Sequence, residues 1–346
     1  MLYRLTLTAL LFLFLAGCNG RNASTRNFSM KVDNGKKIIR LYDTLHIDIK
    51  NKKGLAIDST VIRLAGRTLP MRNHSVILTG ILPGKQELSA TVFYGETSET
   101  LVKNITLLSP VPPKLYTYTI INEYPHDRQA YTQGLEFYNG ILYESTGRNG
   151  QSTLRKTDYT TGKVLKSIEL DDRYFGEGLT VLRDTLYLLT WQSGKGFIYD
   201  PETLSMIRSF SYGKSKEGWG LCNDGKKLYK SDGTEKIWLL NPETLAEEGY
   251  IQTVTHTSVS SKANELEYAR GKIYANTYQK DGVMIINPEN GIIEGVIDFR
   301  GLKARVTQHK DLDVLNGIAY NPETETFFIT GKNWDKLFEV ALSEKK

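Results

Sequence analysis

The feature that most constrains this chain is a pattern that returns five times between residue 115 and the C-terminus. Each copy opens on a short apolar strand, marked by Gly134-Leu135, Gly178-Leu179, Gly220-Leu221, Glu265-Leu266 and Gly317-Ile318. The intervals are 44 (135 to 179), 42 (179 to 221), 45 (221 to 266) and 52 (266 to 318). A second strand follows at Leu142-Tyr143, Leu186-Tyr187, Leu228-Tyr229, Ile273-Tyr274 and Phe327-Phe328. A third runs into a turn at Asp158, Asp200, Asn241 and Asn287, and Pro follows the last three, which is turn chemistry. A fourth strand closes each copy. Four strands in a repeat of roughly 40–50 residues is a propeller blade. The last copy has room for only three strands, so residues 116–121 are expected to supply the fourth and close the ring, which removes exposed edges. The fold class predicted is all-β: a five-bladed β-propeller over residues 115–346. A sandwich or an open solenoid does not account for five complete blades.

Inner strands of a propeller converge on a central channel. The residue two before each first marker therefore points to one end of that channel, giving Gln133, Glu177, Trp219, Asn264 and Asn316. The second strand returns to the same end, where five residues past its marker stand Gly147, Trp191, Gly233, Tyr278 and Lys332. A carboxylate, a lysine, amides and large aromatics are thus predicted to share one narrow mouth. A purely structural account would make Glu177 and Lys332 an ion pair between blades, with the aromatics as core. The combination fits proton transfer at a carbonyl better. Glu177 could shuttle a proton, and Lys332, Asn264 and Gln133 could hold an oxyanion. Trp191, Trp219, Tyr278, Tyr131 and Phe175 could wall a dry pocket and, together with Asn316, contact the substrate. No nucleophile with a paired base is evident. The five histidines, at 46, 74, 126, 256 and 309, have no ligand spacing, so no metal and no cofactor is expected. Cys222 reads as a small buried hydrophobe.

The N-terminus reads differently. Arg4 precedes an apolar run over residues 5–15 that is too short to span a bilayer. The run ends in Leu15-Ala16-Gly17-Cys18, which resembles the lipobox of bacterial lipoproteins. The expectation is a lipoprotein signal peptide over 1–17, a lipidated Cys18 and a polar tether to residue 27. That implies a lipid-anchored protein of the bacterial cell envelope, on the inner or outer membrane facing the periplasm, or at the cell surface. Short alternating strands over 28–109, such as residues 45–49 (LHIDI) and 88–93 (LSATVF), suggest a small β-sandwich, immunoglobulin-like. A Pro-rich linker at 110–114 follows. Net charge is +5, scattered and without a basic block, which excludes a nucleic-acid partner. A monomer is expected.

The propeller segments themselves resemble the plant- and bacterial-type glutamine cyclotransferases. The matching stretches include Tyr124-Pro-His-Asp127, Ala130-Tyr-Thr-Gln-Gly-Leu135, Phe175-Gly-Glu-Gly-Leu-Thr180, Glu217-Gly-Trp-Gly-Leu221, Asn264-Glu-Leu-Glu-Tyr268 and Thr330-Gly-Lys332. The resemblance implies conversion of an N-terminal glutaminyl residue of a peptide to pyroglutamate with loss of ammonia, without catalytic zinc. It implies Glu177 as general acid/base, with Gln133, Asn264 and Lys332 as polar partners and Phe175, Trp191 and Trp219 as walls. Relatives usually carry Trp where this chain has Tyr278 and Phe where it has Tyr131, which bears on pocket shape and substrate preference. The rivals are a non-enzymatic propeller lipoprotein that scaffolds envelope proteins, and a lyase or hydrolase of another small substrate.

Overall fold

The computed structural model describes residues 26–35 and 38–345. The leader and Cys18, with the anchor predicted there, lie outside the described residues. From residue 114 onward the chain builds four-stranded antiparallel units, an arrangement consistent with a propeller. Blade 1 comprises Thr132–Tyr138, Ile141–Thr146, Thr153–Asp158 and Lys163–Glu169. Blades 2, 3 and 4 repeat this order from inner strands Gly176–Val181, Leu221–Asn223 and Ala263–Ala269. The turn expected between third and fourth strands forms in each. Asp158, Asp200, Asn241 and Asn287 accept backbone N–H groups on both carbonyl and side-chain oxygens, the local bonding that makes Asx residues turn formers.

Blade 5 is built from both ends of this region. Leu315–Asn321, Thr326–Gly331 and Lys336–Glu344 are its first three strands, and Lys114–Pro125 pairs along the whole third strand as the fourth. The closing strand is therefore longer than residues 116–121 and begins at Lys114, the last residue of the predicted linker. Its first residues also pair in parallel with the outer strand of blade 4, Ile293–Asp298, which joins the two blades in one sheet. The five inner strands touch in cyclic order, so the ring is closed. Apolar side chains pack between adjacent blades, for example Tyr143 and Leu154 of blade 1 against Leu179 and Leu188 of blade 2. Cys222 is buried in such a layer, and burial holds its thiol well above the ordinary range.

Ahead of the ring, eight strands form two small sheets. One contains Phe28–Val32, Thr44–Asn51 and Ser75–Ile77. The other orders Ile39–Arg40, Thr97–Leu108, Gly84–Tyr94, Ser59–Leu64 and Arg67–Leu69. Alternating apolar residues of both, among them Leu45, Ile47, Leu88 and Ala90, share one core. These sheets rest on blade 3 at its mouth end. Gln252 exchanges two hydrogen bonds with the Lys85 backbone (3.0 and 3.1 Å), and the Lys85 ammonium pairs with Glu235 at 3.0 Å.

Candidate active site

The ring residues are aimed by a shared irregularity. In blades 1, 2, 4 and 5 the inner strand slips register against its neighbour at the ring position, across Thr132/Gly134, Gly176/Leu179, Ala263/Leu266 and Leu315/Ile318. Each slip inserts one extra residue, a β-bulge, which breaks the pairing and redirects a side chain. Gln133, Glu177, Asn264 and Asn316 sit in these bulges. The glycines beside Gln133 and Glu177 are required by crowding. A Cβ on Gly134 would lie 2.6 Å from the Leu179 nitrogen, and one on Gly178 would lie 2.5 Å from the Leu221 nitrogen.

Nine residues line the resulting cavity of about 230 Å³: Tyr131, Gln133, Phe175, Glu177, Trp191, Trp219, Asn264, Tyr278 and Lys332. Every residue predicted for the mouth is among them except Asn316 and the two glycines, Gly147 and Gly233. The Asn316 side chain is fully buried behind Gln133 and supports it from below, so the expected direct contact with substrate is not what its position provides. The two glycines of the second ring also have a purpose. The Gly147 position is overhung by the Phe175 ring and the Gly233 position by the Trp219 indole, so the ring alternates large and small. Gly233 has φ +77, and a Cβ there would meet Trp219 at 2.6 Å. Gly233→Ala is expected to displace that indole, raising KM about tenfold and costing about 1–2 kcal/mol of stability, as steady-state kinetics and urea melts would measure.

The polar groups form a directed chain. Asn316 Nδ2 donates to the Thr132 carbonyl at 2.9 Å and to Gln133 Oε1 at 3.2 Å. The carbonyl can only accept, which fixes the orientation of Asn316 and then that of Gln133. Gln133 Nε2 therefore faces Glu177 and donates to Oε1 at 3.0 Å. Glu177 Oε2 is buried with no hydrogen-bond partner among the described residues. Burial pushes the Glu177 pKa well above the usual carboxylate range; the Lys332 charge opposes this and the Glu217 charge adds to it. Because Oε1 is committed as an acceptor, any proton on Glu177 resides on Oε2. Burial also lowers the Lys332 pKa, opposed by Glu177 and Asp313. Glu177 and Lys332 interact by charge across the cavity, not as a contact ion pair, which corrects the structural account of the pair. The Lys332 ammonium lies 4.7 Å from the Tyr131 ring centre and 5.6 Å from that of Tyr278.

The aromatic wall is continuous on two sides. Tyr131 meets Phe175 edge-on, Phe175 meets Trp191, and Trp219 meets Tyr278. Two acids that the repeat phase passed over hold this wall. Glu217 Oε2 accepts both indole N–H groups, of Trp191 and Trp219, each at 2.8 Å. Asp313 accepts the Tyr131 hydroxyl at 2.8 Å, so the extra oxygen of this tyrosine is satisfied outside the pocket. Glu217 stands in a motif already singled out, two residues before Trp219, but out of phase with either ring.

A carboxyl with a raised pKa, an ammonium with a lowered one, the Asn264 amide and an aromatic box can exchange protons with a small amine or amide and stabilise an oxyanion. Comparison with known proteins narrows this. The profile of the "Glutamine cyclotransferase" family matches residues 89–342, beginning inside the N-terminal sheets and earlier than the resemblance suggested. A glutaminyl-peptide cyclotransferase of Arabidopsis thaliana is 39% identical over 229 residues, covering 65% of this chain and 71% of the relative. The crystal structure of a Myxococcus xanthus glutaminyl cyclase superposes with a TM-score of 0.63 at 37% identity, over 68% of this chain and all of that one. On sequence and fold alike, the chain belongs to the glutamine cyclotransferase family.

Proposed function

We propose that this chain cyclises N-terminal glutaminyl residues of peptides and proteins to pyroglutamate and releases ammonia, with Glu177 Oε2 as the proton-transfer atom. The observation that carries this is that oxygen itself: buried, without a hydrogen-bond partner among the described residues, and carried by a side chain that lines a cavity large enough for little more than one residue. The substrate's neutral α-amine attacks the Cδ carbon of its own carboxamide. Folding the side chain in an aromatic box makes this an oriented intramolecular reaction. Oε2 removes a proton from the attacking nitrogen and delivers it to the departing nitrogen, so the C–N bond to the carboxamide breaks as ammonia leaves. Lys332 and Asn264, whose carboxamide makes no hydrogen bond to another described residue, face the carbonyl oxygen as it gains charge. Gln133 and Asn316 keep Oε1 occupied. The chemistry calls for no cofactor.

The test is the pH profile of kcat for the protein and for Lys332→Met. Burial places the acid limb above the ordinary carboxylate range. The ammonium lowers the Glu177 pKa, so its removal should move that limb to higher pH, with kcat down about 100-fold. A limb that does not move would remove Glu177 from the role.

The remaining readings concern placement. The lipobox at Cys18 supports a lipid-anchored protein of the bacterial envelope, acting as a monomer on periplasmic or surface substrates. The strand order of the two N-terminal sheets supports an immunoglobulin-like spacer over residues 28–109, with 110–113 as linker: three strands face five, and the Ile39–Arg40 strand joins the second sheet in parallel.

A further inference from the structure

The cavity that takes the glutaminyl residue is small for a ligand site. The rest of a peptide substrate must leave it at once. A second cavity of about 550 Å³ opens beside the mouth, on blade 3. Trp219 lines both. Between them stands Glu217, the carboxylate that ties Trp219 to Trp191. A third cleft, lined by residues such as Arg128, Arg148 and His309, has a similar volume but shares no lining residue with the mouth.

The second cavity is lined by three acids and three lysines, and they are not equally free to bond a ligand. Its acids are occupied by neighbours. Glu217 accepts three N–H groups, from the two indoles and from Gln192. Asp232 accepts from Thr234 and from the Trp238 indole. Glu235 is paired with Lys85 of the N-terminal sheets. Lys214 and Lys216 are exposed on the opposite wall, and their ammonium groups have no hydrogen bond or ion pair among the described residues. Lys236 lies over the Trp238 and Tyr250 rings, 5.1 and 4.5 Å from their centres, with no carboxylate partner among the described residues. The groups left free to bond a ligand are therefore the three ammonium groups, while the carboxylates keep their charge but have their oxygens taken up. The Lys85–Glu235 pair and the Gln252 bonds brace the Asp232–Lys236 wall, which gives the N-terminal sheets a part in shaping this cleft.

We propose that the cleft between Lys214/Lys216 and the Asp232–Lys236 wall binds the peptide segment that follows the N-terminal glutamine, and that it selects acidic side chains there. The proposal rests on the cyclase reading and deepens it. The mouth recognises the reacting residue, and the cleft chooses among proteins that begin with it. The contribution is electrostatic and partly exposed, so it should weaken with salt.

The experiment compares kcat/KM for three substrates at low and high ionic strength: glutamine amide, Gln-Ala-Asp-Asp-Ala and Gln-Ala-Lys-Lys-Ala. The expected preference for the acidic peptide over the basic one is about tenfold at low salt, the scale of two exposed charge pairs. Lys214→Glu combined with Lys216→Glu should reverse that order and leave glutamine amide, which is too short to reach the cleft, unchanged. If the two peptides keep their order in the double variant, or if glutamine amide falls as far as the peptides do, the cleft proposal is overturned while the cyclase reading stands. If none of the three substrates is cyclised by the unaltered protein, the cyclase reading fails and the cleft proposal with it.

Discussion

Glu177→Gln is expected to lower kcat by about 10²–10⁴-fold while leaving Tm at neutral pH undiminished. The two halves of this result follow from different oxygens. The amide that replaces the carboxyl can still accept from Gln133 at the Oε1 position, so the chain running from the Thr132 carbonyl through Asn316 stays intact. At the Oε2 position it puts an NH₂ group that cannot relay a proton. The stability half separates this account from the alternative in which Glu177 is a tie between blades. Breaking a buried ion pair from one side typically costs about 3–5 kcal/mol. Here the carboxylate is a burden on the fold. Its folded pKa lies above the unfolded value, so ionisation costs stability once the pH exceeds the unfolded pKa, and the cost grows until the folded pKa is passed. Melts at acidic pH should therefore bring variant and parent together. A Tm that drops sharply at neutral pH with activity largely kept would reverse the assignment.

The second large effect lies just below the site. At the first marker four blades carry glycine: at Gly134, Gly178 and Gly220 the inner strands approach too closely for a side chain, and Gly317 has φ +116. The fourth blade carries Glu265, fully buried. Its carboxyl crosses to two other blades, accepting the Leu135 N–H at 3.3 Å and the Ile318 N–H at 2.9 Å. Burial holds its pKa well above the usual range, the two N–H groups oppose this, and the Glu136 charge adds to it. Glu265→Ala would leave two buried donors unpaired and a void where five strands meet. The expected loss is about 2–5 kcal/mol in urea unfolding, one or two orphaned donors plus a small cavity. Glu265→Gln keeps one acceptor and should lose less. Equal stability of the alanine variant and the parent would mean that the ring closes without this bridge.

How far the sequence could be read follows from these residues. Period alone located the five blades and brought Gln133, Glu177, Trp219, Asn264, Trp191, Tyr278 and Lys332 to one end of the channel, because a strand's alternation and a repeat's phase are both visible in one dimension. Tyr131 and Phe175 came from the chemistry and resemblance of their segments. The bulges were not visible. They conserve the repeat length while shifting register by one residue, so phase survives and the pairing change is hidden. That is why Asn316, correctly placed at the ring, was given a substrate contact although it lies behind Gln133. Glu217 and Asp313 escaped because each acts on an aromatic neighbour from outside the phase of the repeat. Glu265 left a trace that could have been used: it is the one marker that is not glycine.

The most direct test of the account is the mass of a glutamine-initiated peptide incubated with the protein from Arg26 onward, beside the same peptide with its amine acetylated. The account predicts that the free peptide loses the mass of one ammonia, releases an equivalent of ammonia to solution and ends blocked as pyroglutamate, while the acetylated peptide is untouched, because its nitrogen cannot attack. Hydrolysis of both peptides to glutamate, or no change in either, would contradict it.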